Sequence, residues 1–186
     1  MLLSFSCFSQ NNSKPQYLFD KKEQFKIKVK DKNTDLYAYE TDTSFIARFL
    51  KKEDIGVLSP SDKTKIIKEL KNIKKQEIDT LKTIIIHFFY KENFETNGCC
   101  IDHYVTDKTY QKFIKKNKIP QFFLTEKDYI YGAENVYEDK NDVIRPILFK
   151  YPFFTSNYII IKPDGNFYRE LGEYKQDYIP KKLKKF

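Results

Sequence analysis

The chain has 186 residues, of which 40% are hydrophobic and 17% aromatic, so it can bury the core of one domain and is not disordered throughout. Its 34 basic and 26 acidic residues give a net charge of +8. Only Arg48, Arg145 and Arg169 are arginines, and lysines occur in every segment. Because nucleic-acid surfaces ordinarily add arginine forks to lysine charge, we do not expect nucleic acid as a partner.

The first ten residues carry no charge and are followed by a polar stretch. They are typical of the end of a secretory signal peptide, with Cys7 and Ser9 as the small residues before cleavage. We therefore expect residues 1–10 to be a signal-peptide remnant and the protein to be periplasmic or secreted. A lipid on Cys7, or a cytoplasmic protein, are the alternatives. Export would place Cys99 and Cys100, the remaining thiols, in an oxidising compartment.

The N-terminal part of the chain predicts a β-rich extension over residues 11–58. Apolar residues alternate with lysines at 24–30, a pattern typical of a half-buried strand. Two shorter strands are expected at 16–19 and 36–39, and a short helix at 45–50. No segment after the first ten residues has the roughly 18 consecutive apolar residues that a membrane span needs.

The middle of the chain predicts a helix followed by a buried strand. Ser59-Pro-Ser-Asp62 is a helix start, and apolar residues keep helical spacing as far as Leu81. The run Ile-Ile-Ile-His-Phe-Phe within 83–90 predicts a central strand covered on both faces. A second helix is expected after a cap at Thr106 or Asp107, and a second strand at 121–125.

The last predicted unit is a hairpin. Residues 157–162 and 166–171 flank Pro163-Asp164-Gly165, whose residue types suit the successive corners of a tight turn. The following residues 176–186 form a basic tail, expected to be a short exposed helix or disordered.

Two cysteines and two histidines share one short window: His87, Cys99, Cys100 and His103. Three hypotheses arise. The cysteines are structural, either as free thiols or as a strained bridge, because consecutive Cα atoms are only ~3.8 Å apart. Alternatively Cys99, Cys100 and His103 are catalytic, with His103 helping to deprotonate Cys100. A zinc or copper site would add His87. We favour the structural hypothesis, with no metal and no cofactor, and a buried, hydrogen-bonded His87.

The element order from 61 to 171, together with the hairpin Ser156-Asn-Tyr-Ile-Ile-Ile-Lys-Pro-Asp-Gly165, resembles thioredoxin-like domains of the thiol-disulfide oxidoreductase type common in the Bacteroidetes. This resemblance implies an α/β fold: a three-layer core with a central mixed sheet flanked by helices. It places the thioredoxin-like domain at 59–175.

The sequence departs from that family at the expected active site. The family separates its cysteines by two residues, whereas Cys99 and Cys100 are adjacent, and its cis-proline aligns with Ser156. We therefore expect a degenerate member without standard oxidoreductase activity that binds an unknown protein partner or supports a structure in the cell envelope. The alternative is a thiol-dependent redox enzyme using the adjacent pair. A nucleic-acid-binding basic protein is a third hypothesis, which requires a clustered basic face with exposed aromatics.

Overall fold

A computed structural model describes residues 16–19, 32–40, 45–91, 99–151 and 156–186. The chain divides into two compact units, Met1–Lys51 and Lys52–Phe186. The predicted signal segment 1–10 and the predicted strand 24–30 lie outside the described residues. Within the described ranges, no helix is long and apolar enough to cross a membrane.

The first unit contains a three-stranded antiparallel sheet. Its strands are β1 (Gln16–Phe19), β2 (Thr34–Glu40) and β3 (Phe45–Lys51), in the order β1-β3-β2. The helix predicted at 45–50 is wrong, because these residues form the central strand β3. Pairing with a neighbour on each side satisfies the β3 backbone, and this tertiary constraint outweighs helical spacing over so short a segment.

The second unit is built on a six-stranded mixed sheet with the order β4-β9-β8-β5-β6-β7. The strands are β4 (Glu53–Val57), β5 (Ile84–Phe89), β6 (Gln121–Thr125), β7 (Val136–Glu138), β8 (Ser156–Ile161) and β9 (Asn166–Leu171). Strands β5, β6 and β7 run parallel, and β8, β9 and β4 are each antiparallel to their neighbours. Every residue of β5 is buried, which confirms the predicted central strand.

Helices cover both faces of this sheet. They are α1 (Pro60–Lys74), α2 (Cys99–Thr106), α3 (Lys108–Asn117), α4 (Ile144–Leu148) and α5 (Ile179–Lys185). Helices α3 and α5 pack on the face that carries Ile85, while α1 contacts α4, and Phe149 after α4 stacks on Phe88 of the opposite face. A parallel β5–helix–β6 unit, a return through α4, an antiparallel β8–β9 hairpin and a final helix form the thioredoxin-like fold. The predicted fold class is confirmed.

Local signals explain where two of the helices begin. The Ser59 side chain accepts a hydrogen bond of 3.0 Å from the Asp62 backbone N–H and starts α1. The Asp107 carboxylate accepts from the first backbone N–H groups of α3, as predicted. The predicted extension of α1 to Leu81 is wrong: the helix ends at Lys74, and the next residue adopts φ = 51°.

Two segments belong to the second unit although the sequence suggested otherwise. Strand β4, which the sequence analysis placed in the N-terminal extension 11–58, pairs with β9. The tail 176–186, expected to be a short exposed helix or disordered, forms a short 3-10 turn and then the helix α5, one side of which is buried. Apolar residues at 179, 183 and 186 pack α5 against the core, because this spacing puts them on one side of a helix.

We predict that Ile179→Ala lowers the free energy of unfolding by about 2–4 kcal/mol, because Ile179 is 0% exposed and its truncation leaves a cavity. Urea unfolding followed by circular dichroism measures the change. The control is Leu81→Ala, since Leu81 is 84% exposed and its truncation should leave stability unaltered. Equal midpoints for the two variants would show that α5 is not part of the core.

Candidate functional site

The adjacent cysteines begin a helix. Cys99 and Cys100 are the first two residues of α2, although the sequence predicted a loop there and the next helix start at Thr106 or Asp107. Successive residues of an α-helix are rotated by about 100° around its axis. A disulfide brings its two Cβ atoms to within roughly 3.5–4.5 Å. Closing a bridge between these neighbours would therefore unwind the start of α2.

A pocket of about 520 Å³ lies next to the second half of α2. Polar residues and charged residues of both signs line it. Its lining residues come from α2 and the start of α3, from the start of β8 and from the segment after β9: His103, Tyr104, Thr106, Asp107, Ser156, Glu173, Tyr174, Lys175, Gln176 and Asp177. The predicted site residue His103 is exposed at this pocket, one helical turn after the cysteines.

Tyr104 holds the walls of the pocket together. Its hydroxyl is 3.0 Å from Ser156 Oγ and donates to the Tyr174 carbonyl at 3.1 Å. Since a phenol has a single proton, the Ser156 hydroxyl donates to Tyr104. The Gln176 side chain returns a hydrogen bond of 3.0 Å to the Tyr104 carbonyl. Helix α2, strand β8 and the segment after β9 are thereby joined through one tyrosine.

Ser156 occupies the position where the thioredoxin-like family has its cis-proline. It is the first residue of β8, and it is 0% exposed at the bottom of the pocket. In an active thioredoxin-like site the cysteines and this residue meet, so that a substrate contacts both. Here the Tyr104 hydroxyl contacts the Ser156 side chain.

His87 lies beneath the pocket in the middle of β5 and is 0% exposed, as the sequence analysis expected. The Gln121 amide nitrogen donates to Nε2 at 2.9 Å, and the Tyr110 hydroxyl is 3.2 Å from the same atom. With Nε2 accepting, Nδ1 carries the proton and donates to the Tyr174 hydroxyl. A wall residue of the pocket is therefore anchored to a histidine of the central strand.

Burial fixes the charge state of this group of residues. It lowers the pKa of His87 to about 3, because a charged imidazole would lose its hydration in the core. The same cause raises the pKa of Tyr110 and of Tyr174 well above the usual tyrosine range. All three side chains are neutral at physiological pH, and they connect α3, β5 and the pocket wall by uncharged hydrogen bonds.

The four residues of the predicted window lie on two different elements, with His87 on β5 and the other three on α2. The structure places Cys99, Cys100 and His103 on α2, while both ring nitrogens of His87 are engaged by tyrosine and glutamine side chains. In the described ranges, no group of three His, Cys, Asp or Glu side chains is arranged to hold a metal ion. The sequence analysis did not identify Tyr104 as a site residue. Nothing in the residues around Tyr104 distinguishes it from the other tyrosines of the chain.

Comparison with known proteins gives one structural similarity. No protein-family model matches the sequence, and no curated protein matches it. A solved structure of BsSco, described as a member of the Sco family of cytochrome c oxidase assembly proteins with a disulfide switch, matches over 55% of this chain and 78% of its own. The identity is 15% and the TM-score 0.34. The assignment of the thioredoxin-like fold rests on the strand order and connections of the chain itself.

We predict that protein stability falls on mild acidification because of His87. The folded pKa of His87 is about 3 and its unfolded value about 6.5, so below pH 6.5 the unfolded chain binds a proton that the folded chain does not. From pH 7 to pH 5 this lowers the free energy of unfolding by about 2 kcal/mol. Urea unfolding at the two pH values measures the loss.

The variant His87→Gln removes the titrating ring while keeping a hydrogen-bonding side chain, and we expect it to lose this part of the pH dependence. His103→Gln is the matched control, because it replaces an exposed histidine outside the buried hydrogen bonds of His87. A pH dependence that is the same in the wild type and in His87→Gln would contradict the buried neutral histidine.

Proposed function

We propose that this chain is an exported thioredoxin-like protein that binds a protein partner in the cell envelope and does not catalyse standard dithiol exchange. The thioredoxin-like fold supplies the framework. The proposal concerns the part of that framework in which the family places its chemistry, namely the start of α2 and the start of β8.

The burial of Ser156 carries the proposal. A protein substrate of a thioredoxin-like enzyme is held against the residue that begins the hairpin strand, close to the cysteines. Here that residue is 0% exposed and its hydroxyl is hydrogen-bonded to Tyr104, so it presents no surface to an incoming chain. The adjacent cysteines on α2 add a second obstacle, because their internal disulfide is incompatible with the helical turn that contains them.

The pocket supports a binding role. It lies on rigid elements, since Tyr104 and Gln176 fix α2 to the segment after β9, and Tyr174 is anchored to His87. Its lining combines the carboxylates of Glu173 and Asp177 with the cation of Lys175. Such a mixed polar lining suits a peptide segment that carries charges of both signs.

One observation favours the alternative, a thiol-dependent enzyme. Helix α2 begins at Cys99, and the N-terminus of a helix stabilises a thiolate through its unpaired backbone N–H groups. His103 follows one turn later and is exposed. This arrangement could activate one cysteine as a nucleophile without a resolving partner.

We expect the full chain not to accelerate the reduction of insulin by dithiothreitol. The measurement is insulin turbidity, with an active thioredoxin as the positive reference and Cys99→Ser/Cys100→Ser as the matched variant. The wild type and the double variant should give the same rate, because Ser156 is buried and offers no exposed surface against which a substrate chain could be held. A rate comparable with thioredoxin that disappears in the double variant would overturn the proposal.

The alternative is tested by the reactivity of each thiol. In Cys99→Ser and Cys100→Ser, one α2 cysteine remains, and the rate of its alkylation by iodoacetamide is measured against pH. The reference is the ordinary cysteine pKa of about 8.5, and the proposal requires that neither thiol react faster at neutral pH than free cysteine does. A thiol that reacts as a thiolate more than one pH unit below that value would favour the enzyme.

A further inference from the structure

Two neighbouring helices of the second unit, α3 and α5, are rich in lysine and contain no acidic residue. Helices α3 and α5 share one hydrophobic cluster, in which Tyr110 and Ile114 of α3 and Ile179 of α5 are buried against the sheet. Leu183 and Phe186 pack against the same cluster. The two helices therefore lie in the same layer and present their outer sides on the same face of the domain.

The outer side of α3 is made of lysines. Lys108, Lys112, Lys115 and Lys116 are all exposed, as is Lys118 at the C-terminal end of the helix. Their spacing of three and four residues places them together, on the side of the helix opposite its buried residues. No residue of α3 is acidic.

Helix α5 continues this surface. Lys181, Lys184 and Lys185 are exposed, and Lys182 differs because it pairs with Glu53 at 2.7 Å. No residue of α5 is acidic. The eight exposed lysines of α3 with Lys118 and of α5 form what we call the basic face.

The basic face is not neutralised. None of its eight lysines forms an ion pair with any residue in the part of the chain that the structure describes. Helix α1 is also rich in lysine, but there Lys65 pairs with Asp62 and Lys71 pairs with Glu77. The charge of α1 is thus partly compensated within the helix region, whereas the lysines of the basic face have no such partner among the described residues.

We propose that the basic face binds an anionic lipid surface. Closely spaced like charges repel one another, and an external layer of negative charge removes this repulsion. Lysine is a point charge that attracts lipid headgroups without requiring a fixed geometry, and each lysine near such a surface strengthens binding about five-fold. The exposed ring of Tyr178, next to Lys181, adds an amphipathic group suited to the headgroup region.

Two observations favour lipid over nucleic acid. Base edges are read by arginine forks, and Arg145 and Arg169 are instead bound to Asp142 and Asp54. Proteins that bind single-stranded nucleic acid stack its bases on several exposed aromatic rings. Among the described residues of α3, the 3-10 turn and α5, the one exposed aromatic side chain is Tyr178, which is 48% exposed. This binding surface is separate from the pocket and does not depend on the proposed function.

The test is co-sedimentation of the full chain with vesicles. We expect binding to vesicles of equal parts phosphatidylcholine and phosphatidylglycerol, and no binding to phosphatidylcholine alone. Affinity should fall steeply as the salt is raised above about 0.15 M, where the Debye length becomes shorter than ~8 Å. Failure to bind the anionic vesicles at low salt would overturn the proposal.

Variants locate the surface. Lys112→Gln/Lys116→Gln/Lys184→Gln should weaken binding to the anionic vesicles on the order of 100-fold, as expected for three lysines. The matched control Lys65→Gln/Lys68→Gln/Lys75→Gln removes the same charge from exposed positions in α1 and at its C-terminal end and should weaken binding far less. Equal losses of affinity in both variants would show a general charge effect and contradict a binding surface on α3 and α5.

Tighter binding to single-stranded or duplex nucleic acid than to vesicles at the same salt would assign the basic face to nucleic acid instead. Circular dichroism verifies that both variants are folded.

Discussion

The second unit is organised around a histidine that cannot be exposed to water. His87 lies in the middle of the central strand, where both faces of the sheet are covered, and each of its ring nitrogens must find a partner inside the protein. The partners come from three places in the chain: Tyr110 from α3, Gln121 from β6 and Tyr174 from the segment after β9. Satisfying this one polar group thus fixes a helix, a neighbouring strand and the wall of the pocket relative to the sheet.

The same requirement connects the core to the surface where the chemistry of a thioredoxin-like enzyme would occur. Tyr174 contributes its hydroxyl to His87 and its carbonyl to Tyr104, and Tyr104 in turn covers Ser156. The sealed start of β8 is consequently part of a continuous set of hydrogen bonds that reaches the central strand. Opening that position to a substrate chain would expose polar groups whose partners lie in the core, which costs more than displacing a surface side chain.

Local chemistry made some of this structure predictable. Gly165 adopts φ = 91° in the hairpin turn, as the Pro-Asp-Gly order indicated, and Asp107 caps α3. The continuous apolar run in β5 predicted correctly that this strand is buried on both faces of the sheet. The start of α2 at Cys99 and the strand β3 were not predicted, because the capping signal recognised in the sequence was the later one at Thr106 or Asp107, and because β3 depends on pairing with a strand on each side. The contacts of Tyr104 and Tyr174 also required the fold, since a tyrosine-rich sequence does not show which hydroxyls meet.

The pairing of β4 with β9 has a consequence for the way the protein folds. In chain order the first strand of the six-stranded sheet hydrogen-bonds with the last, and the Asp54–Arg169 ion pair joins residues 115 positions apart. Loop closure over such a distance is costly before its contacts form, and domains dominated by contacts of this kind fold slowly. During synthesis, β4 remains without its partner until β9 has left the ribosome, so the six-stranded sheet is completed only late and the chain stays open to chaperones for most of its translation.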